Sequence, residues 1–159
     1  MEANNRRNLM SVLGGTVLAG TALAGLMPGA VLAQTRPAPV DRAKLPALMG
    51  GDFSTATSKL AVKKASNAAV REFAKLEITE QAAVAKAFGA MPGTAGLRPD
   101  QAAIVEKLSA ASGPEFDMMY IDGQIAGHRE LMTIHRRYAQ SGSDPMARGA
   151  SLVGVTGIE

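Results

Sequence analysis

The sequence contains no cysteine, which excludes disulfide bonds, thiol catalysis, thiolate metal sites and a lipoprotein-type anchor. Tryptophan is also absent, and aromatic residues make up only 4% of the chain. Alanine and leucine dominate the hydrophobic residues, and small side chains with few rings favour closely packed helices over strands. Neither a hairpin-type Asn-Gly pair nor sustained alternation of apolar and polar residues is found. The sequence therefore predicts an all-α protein.

A strong charge of one sign is missing as well. Lysine and arginine number 17 against 14 acidic residues, a formal net charge of +3. The basic residues form no stripe with interleaved aromatics, which argues against nucleic acid as a partner. A P-loop, a Gly-x-Ser-x-Gly elbow, a dinucleotide fingerprint and a His-Glu-x-x-His pair are all absent from the sequence. The sequence therefore favours a protein without enzymatic activity, although it leaves the question open.

The first 33 residues have the features of an export signal. Arg6 and Arg7 precede an apolar stretch from Leu9 to Met27, and Ala33 places a small residue at the expected cleavage position. This order is typical of a secretory signal peptide, and the paired arginines resemble a twin-arginine signal. A retained membrane anchor is the alternative, which the glycines of the apolar stretch argue against. We expect cleavage after residue 33 and a periplasmic protein with no integral membrane span.

The remaining chain is predicted to form a Pro-containing linker, residues 34–43, and a helical bundle, residues 44–159. Apolar periodicity and helix-breaking residues predict five helical segments at about 44–65, 68–88, 100–111, 114–140 and 145–159. We interpret these as a four-helix bundle with an extra C-terminal helical segment.

Two of these segments carry specific packing expectations. The first is predicted to bury one stripe, with Gly50 and Gly51 as a weak point in the helix. The third is predicted to be short. The inward residues expected are Leu45, Met49, Phe53, Ala56 and Leu60 in the first segment and Ile104, Val105 and Leu108 in the third.

Glu77 is an unusual residue on the apolar stripe of the second helix. It lies seven residues from both Val70 and Val84, which places it about 20° from each around the helix axis. A carboxylate at such a position must reach a partner, change its pKa or coordinate an ion. A side chain that extends from the edge of the stripe to solvent is the alternative. Glu80 and Gln81 follow one turn later and enlarge the polar patch.

The fourth helix carries a second polar cluster. Phe116, Tyr120, Gln124 and His128 are spaced by four residues and form one row, and His135 follows seven residues after His128. Such a row on a bundle-forming helix is consistent with a hydrogen-bonded core network. Because histidine is a common metal ligand and bundle cores host metals, a metal site is the sharper alternative.

The spacing argues against a di-iron centre. Di-iron bundles use Glu-x-x-His on paired helices, whereas Ile125 and Met132 stand three residues before the two histidines. A single transition-metal ion held by His128 with Glu77 or Glu80 stays open. It is the one cofactor that the residues leave as an alternative.

Two segments together resemble a known family. The first runs from Val70 to Leu76, and the second runs from Phe116 to His128. They are similar to the domain of unknown function (DUF) 4142 family of exported bacterial proteins, often labelled outer-membrane proteins, over residues 49–143. The residues that fall at the family's spacing are Phe73, Phe116, Asp117, Tyr120, Gln124 and His128.

The resemblance implies a ferritin-like bundle in the periplasm, associated with the outer membrane. This chain has Glu80-Gln81 where the family often has Asp-His, which weakens a metal site built on that histidine. Glu77 stands where an apolar residue is common. The family pattern continues past the fifth segment to another histidine, whereas this chain stops at Glu159, so a truncated C-terminus is one interpretation.

These observations favour a periplasmic binding or envelope-maintenance module. Its helical stripes would also contact an unidentified protein partner or a second copy of the chain. The alternative is a metal-binding ferritin-like protein that uses His128 with Glu77 or Glu80.

Overall fold

The structure, a computed structural model, describes residues 41–159. The predicted signal peptide, residues 1–33, and most of the predicted linker lie outside the described residues. Within them the chain forms five α-helices and no strand, which confirms the all-α prediction. The ferritin-like arrangement stays a prediction. The helices are α1 (Leu45–Lys64), α2 (Ala68–Ala87), α3 (Pro99–Ala110), α4 (Gly113–Ser141) and α5 (Pro145–Ile158).

The helix ends follow from local chemistry. The side chain of Asn67 accepts a hydrogen bond from the backbone N–H of Ala69 and caps α2. Asp144 caps α5 in the same way, and Pro145 occupies its first turn, where no hydrogen-bonded N–H is needed. Gly89, with φ of +74°, follows α2 in a left-handed conformation that glycine adopts without strain. Each observed end lies within one residue of the predicted one.

α1 packs against three other helices, α2, α3 and α4. The prediction that it buries a single apolar stripe was therefore wrong. Leu45 is 36% exposed, while Ser54, Thr57 and Ser58 are buried. Since three helices surround α1, polar side chains on its circumference are enclosed and must bond to one another.

α1 continues through Gly50 and Gly51 without a break. A Cβ atom at Gly50 would lie 2.5 Å from Cδ2 of Leu131 on α4, and one at Gly51 would lie 2.9 Å from Oε1 of Gln81 on α2. The two glycines therefore let α4 and α2 approach α1 closely. This approach brings the polar residues of the three helices within reach of one another.

α3 is short, as predicted, but its inward face differs from the predicted one. Gln101 and Leu108 are buried, whereas Ile104 is 37% exposed. The side chain of Gln101 accepts a hydrogen bond from the backbone N–H of Arg98 at the start of the helix, which explains why a polar residue takes an inward position. Arg98 also pairs with Glu130 on α4, with 2.8 Å between Nη1 and Oε1.

Two apolar clusters fill the bundle, with a polar layer between them along the helices. One cluster is built around Leu48, Phe88 and Tyr138, and the other around Leu108, Phe116 and Tyr120. Buried polar residues of α1, α2 and α4 occupy the intervening turns. Within residues 41–159, no helix combines the length and apolar character that crossing a membrane requires.

Candidate functional site

A groove runs between α2 and α4, which both pack against α1, and the last turn of α5 borders it. The groove is open to solvent and has a volume of about 690 Å³. Its walls are mostly apolar, and charged side chains lie on its floor and rim. The apolar lining consists of Phe73, Leu76, Ile121, Ile125, Met132 and Ile158, and the ionisable lining of Glu77, Glu80, His128, Arg129, Arg136 and Glu159.

Glu77 lies at the floor of this groove and is only 3% exposed. Its Oε2 accepts a hydrogen bond from Oγ of Ser54 at 2.7 Å, and its Oε1 lies 3.4 Å from Nε2 of His128. Burial alone would raise the pKa of Glu77, but hydrogen bonds from His128 and Ser54 and the imidazolium charge outweigh burial and lower it. Glu77 is therefore an ionised carboxylate inside the bundle.

His128 faces Glu77 from α4. Its Nδ1 lies 2.8 Å from the backbone carbonyl oxygen of Gln124. Because a carbonyl oxygen only accepts, Nδ1 carries a hydrogen, and Nε2 is left to face the carboxylate. The hydrogen bond with Glu77 raises the pKa of His128, although burial acts in the opposite direction. His128 can therefore pair with Glu77 as an imidazolium or offer Nε2 as a ligand.

A hydrogen-bonded network under the groove holds this pair in place. Oγ of Ser54 lies 3.1 Å from Oε1 of Gln124, whose Nε2 donates to Oγ1 of Thr57 at 2.9 Å. Thr57 in turn donates to a backbone carbonyl of the preceding turn of α1, Phe53 or Ser54. Since the carboxylate is the stronger acceptor, the single hydroxyl proton of Ser54 goes to Glu77. The network thus stabilises the ionised form of Glu77.

Glu80 lines the same groove but does not pair with His128 as Glu77 does. It is an exposed residue, and within residues 41–159 no hydrogen bond or ion pair is found for its carboxyl group. Although the residue as a whole is exposed, the groove partly shields its carboxyl group from water, and this shielding and the negative charge of Glu77 raise the pKa of Glu80. The described part of the chain contains no group of three histidine or acidic residues placed to hold a metal ion. The structure thus brings Glu77 and His128 together and leaves Glu80 at the side.

The other residues of the family pattern build the scaffold around the site. Phe116 and Tyr120 are fully buried and stacked, with ring centroids 6.4 Å apart, and Phe73 lies 6.2 Å from Tyr120. The phenol oxygen of Tyr120 lies 2.9 Å from Oγ of Ser58, and burial raises the pKa of Tyr120 to about 12. Tyr120 is therefore a neutral packing residue.

Asp117 fixes the connection between α1 and α2. Its carboxylate accepts hydrogen bonds from the backbone N–H groups of Ser66 at 3.0 Å and Asn67 at 2.8 Å. The carboxylate also accepts a hydrogen bond from the hydroxyl of Ser66. This bond has the largest effect, and together with the two backbone bonds it lowers the pKa of Asp117. Because this connection sets where α2 begins, Asp117 helps to place Glu77 three turns later.

His135 does not belong to the groove, although the sequence places it near the face of His128. It is 3% exposed and packs against α5, with Nδ1 3.2 Å from Oγ of Ser151. The residues that sequence reasoning missed are Ser54 and Thr57. They could have been found as polar residues at helical spacing on a helix whose apolar stripe is narrow.

The fold and the site together define a small all-α bundle protein with a ligand-sized groove over a buried carboxylate that faces a half-buried imidazole. The family profile "Domain of unknown function (DUF4142)" matches residues 27–150. The chain belongs to this family, as its two sequence segments predict. No curated protein and no solved structure shows significant similarity to the chain.

Proposed function

We propose that this protein is an exported binding module that holds a small amphipathic molecule in the groove between α2 and α4. The observation that carries this proposal is the groove itself, with a volume of about 690 Å³, apolar walls and, at its floor, the buried carboxylate of Glu77 facing the half-buried ring of His128. Small-molecule sites are concave and largely apolar, with a few fixed polar groups that orient the ligand. The groove combines these features.

The walls favour a ligand with an apolar body. Leu76 is 69% exposed and Ile125 is 47% exposed, and the two line the groove from α2 and α4. Covering such surface gains roughly 25 cal/mol per Å² of apolar area removed from water. A polar end of the ligand would reach Glu77 and His128, whose positions are fixed by Ser54 and Gln124.

The test compares a substitution that fills the groove with a matched substitution elsewhere on the surface of the same helix. Ile125→Trp places a large ring in the groove, whereas Met118→Trp changes an exposed residue on the same helix that does not line it. The apolar dye Nile red is titrated into each folded variant. We expect Ile125→Trp to weaken dye binding by about tenfold or more, the loss of roughly 1.4 kcal/mol of binding free energy, and Met118→Trp to leave it unchanged.

A second readout identifies the natural occupant. The wild-type protein is purified without detergent, extracted with organic solvent and analysed by mass spectrometry, and so are both variants. A compound present in the wild-type and Met118→Trp proteins but absent from Ile125→Trp supports the proposal. Equal dye affinity in all three proteins contradicts it.

A single transition-metal ion is the second candidate occupant. Two ligands each about 2.0–2.1 Å from a tetrahedral ion lie about 3.3–3.4 Å apart. The 3.4 Å between Nε2 of His128 and Oε1 of Glu77 fits this separation, and the bond from Nδ1 to Gln124 leaves Nε2 as the ligand atom. Glu80 would have to rotate toward the pair to add a third ligand.

Elemental analysis distinguishes this candidate. Protein purified without chelators is measured for iron, zinc and manganese, alongside His128→Ala and the matched control His135→Gln. Near-stoichiometric metal that is lost in His128→Ala and kept in His135→Gln supports the ion. Wild-type protein that stays metal-free after dialysis against each ion removes this candidate and leaves the pair as a structural element.

Export to the periplasm, with association at the outer membrane, is part of the same proposal. Export rests on the composition of residues 1–33, including Arg6, Arg7 and Ala33, and association with the outer membrane rests on the resemblance to the family alone. N-terminal sequencing of the mature protein should begin at Gln34, and the double change Arg6→Lys, Arg7→Lys should retain the precursor if the twin-arginine route is used. Normal export of that variant argues against this route. Contact with a protein partner or a second copy stays a prediction, as does a role in envelope maintenance.

A further inference from the structure

His135 occupies the interface between α4 and α5. Its Nδ1 lies 3.2 Å from Oγ of Ser151, and its ring meets Phe88 edge-on with centroids 5.9 Å apart. On the α5 side the ring lies against Gly154, where an added Cβ would be 3.4 Å from Cδ2 and 3.5 Å from Nε2. The ring is therefore enclosed by small or apolar neighbours, with the Ser151 hydroxyl as its polar contact on α5.

No carboxylate within residues 41–159 is paired with this ring. The charged groups on the surrounding elements are engaged elsewhere or exposed to solvent. These are Arg136 paired with Glu159, Arg148 bonded to the carbonyl of Ala139, Lys44 paired with Asp144, Asp52 bonded to the amides of Gly93, Ala95 and Gly96, and the exposed Glu80, Lys86 and Arg137.

An imidazolium at His135 would therefore be buried without a counter-charge. Burial lowers the pKa of His135 below its ordinary value, and no neighbouring charge opposes this effect. A protonated ring can reach water only if α5 moves, because Ser151 and Gly154 lie directly over it. The neutral ring fits the interface and the charged ring does not.

The two halves of α5 are held differently. The N-terminal half is anchored by the ion pair between Asp144 and Lys44 and by Ala147, which is fully buried in an apolar cluster. The C-terminal half contacts His135 through Ser151 and Gly154, and its last turn lines the groove with Gly157 and Ile158. Its end is otherwise tied to α4 by the exposed ion pair between Arg136 and Glu159, which is worth little in solvent. A change at His135 therefore acts on the part of α5 that borders the groove.

We propose that the C-terminal half of α5, residues 151–158, is a proton-sensitive latch, which separates from α4 when His135 is protonated and thereby widens the groove. The widening matters for ligand binding only if the proposed function holds, whereas the movement of α5 does not depend on it.

The latch is tested by hydrogen–deuterium exchange on the ligand-free protein, with exchange times corrected for the intrinsic pH dependence of the amides. Between about pH 7.5 and about pH 5 we expect exchange in residues 151–158 to rise at least about fivefold, while α1 stays protected. His135→Gln and His135→Met should abolish the rise, and His128→Gln, the matched change of the other histidine, should keep it.

Two results overturn the latch. One is an acid-induced rise that persists in His135→Gln or His135→Met when circular dichroism shows these variants to be folded. The other is unchanged protection in the wild-type protein after NMR shows His135 to be protonated. Because the experiment contains no ligand, these failures are separate from the Nile red result that tests the groove.

Discussion

His128 and His135 lie two turns apart on α4, yet their surroundings differ in almost every respect. His128 opens onto the groove and faces the carboxylate of Glu77, whereas His135 is enclosed between α4 and α5 with a serine hydroxyl as its polar neighbour. Burial acts on both rings in the same direction. Only His128 has a negative partner, which is why its pKa is raised while that of His135 is lowered.

The comparison shows that one helix can present the same residue for two purposes. A charge near His128 is compensated by Glu77 and held by the network from Ser54, so this position tolerates ionisation and suits a ligand site. At His135 a charge disrupts packing, so this position suits a conformational response. The partner across the interface, and not the residue type, decides the role.

The largest expected effect comes from a fixed charge at each position. His135→Lys buries an ammonium without a partner and should lower the free energy of unfolding by about 3–5 kcal/mol. His128→Lys places the charge beside Glu77 at the edge of the groove and should lower it by less than about 1.5 kcal/mol. Urea unfolding followed by circular dichroism measures both.

Similar losses in the two lysine variants would contradict the asymmetry. His135→Met serves as the control, because it fills the same site without charge and separates loss of packing from burial of charge. If His135→Met is as unstable as His135→Lys, shape rather than charge governs the site.

Removing the serine hydroxyl beside each site, Ser54 or Ser151, should produce a smaller difference in the free energy of unfolding. Ser54→Ala removes a hydrogen bond to the buried carboxylate of Glu77 and should lower the free energy of unfolding by about 1.5–3 kcal/mol, while raising the pKa of Glu77. Ser151→Ala removes a hydrogen bond to the neutral ring of His135 and should cost about 0.5–1.5 kcal/mol. Thermal or urea unfolding near neutral pH measures both losses of stability. A larger loss in Ser151→Ala than in Ser54→Ala would contradict the prediction.

Much of the fold follows from the sequence. Helix-breaking residues such as Gly89 and Pro145 and the caps at Asn67 and Asp144 are local signals, so the helix ends are predicted to within one residue. Glu77 stands out in the sequence because a carboxylate on an otherwise apolar stripe is itself a local anomaly. Its proximity to His128 was one of several alternatives that only packing could decide.

The rest depends on non-local packing. Ser54 and Thr57 lie outside the apolar stripe predicted for α1, and a periodic pattern cannot show that three helices surround this helix. The same limit explains His135: seven residues after His128, it lies near the same face of α4, and only the docking of α5 encloses it. Sequence periodicity predicts the side of the helix on which a side chain lies. It does not predict which residue of another helix the side chain contacts.

The smallest expected effect is the most specific one, a pair of pH dependences with opposite sign. The pKa of His128 is raised above its ordinary value of 6.5, so its stabilising contribution is fully present below that value and is lost as pH rises through the folded pKa. The pKa of His135 is lowered from 6.5, so its contribution is present above that value and is lost as pH falls through the folded pKa.

Each histidine changes the stability by a slope of at most about 1.4 kcal/mol per pH unit, the limit for one proton. Urea unfolding across this pH range should show that His128→Gln removes the loss of stability on the alkaline side, while His135→Gln removes the loss on the acidic side. Two variants with the same pH profile would contradict the comparison, because the carboxylate of Glu77 is the main cause that gives the shift at His128 the opposite sign to that at His135.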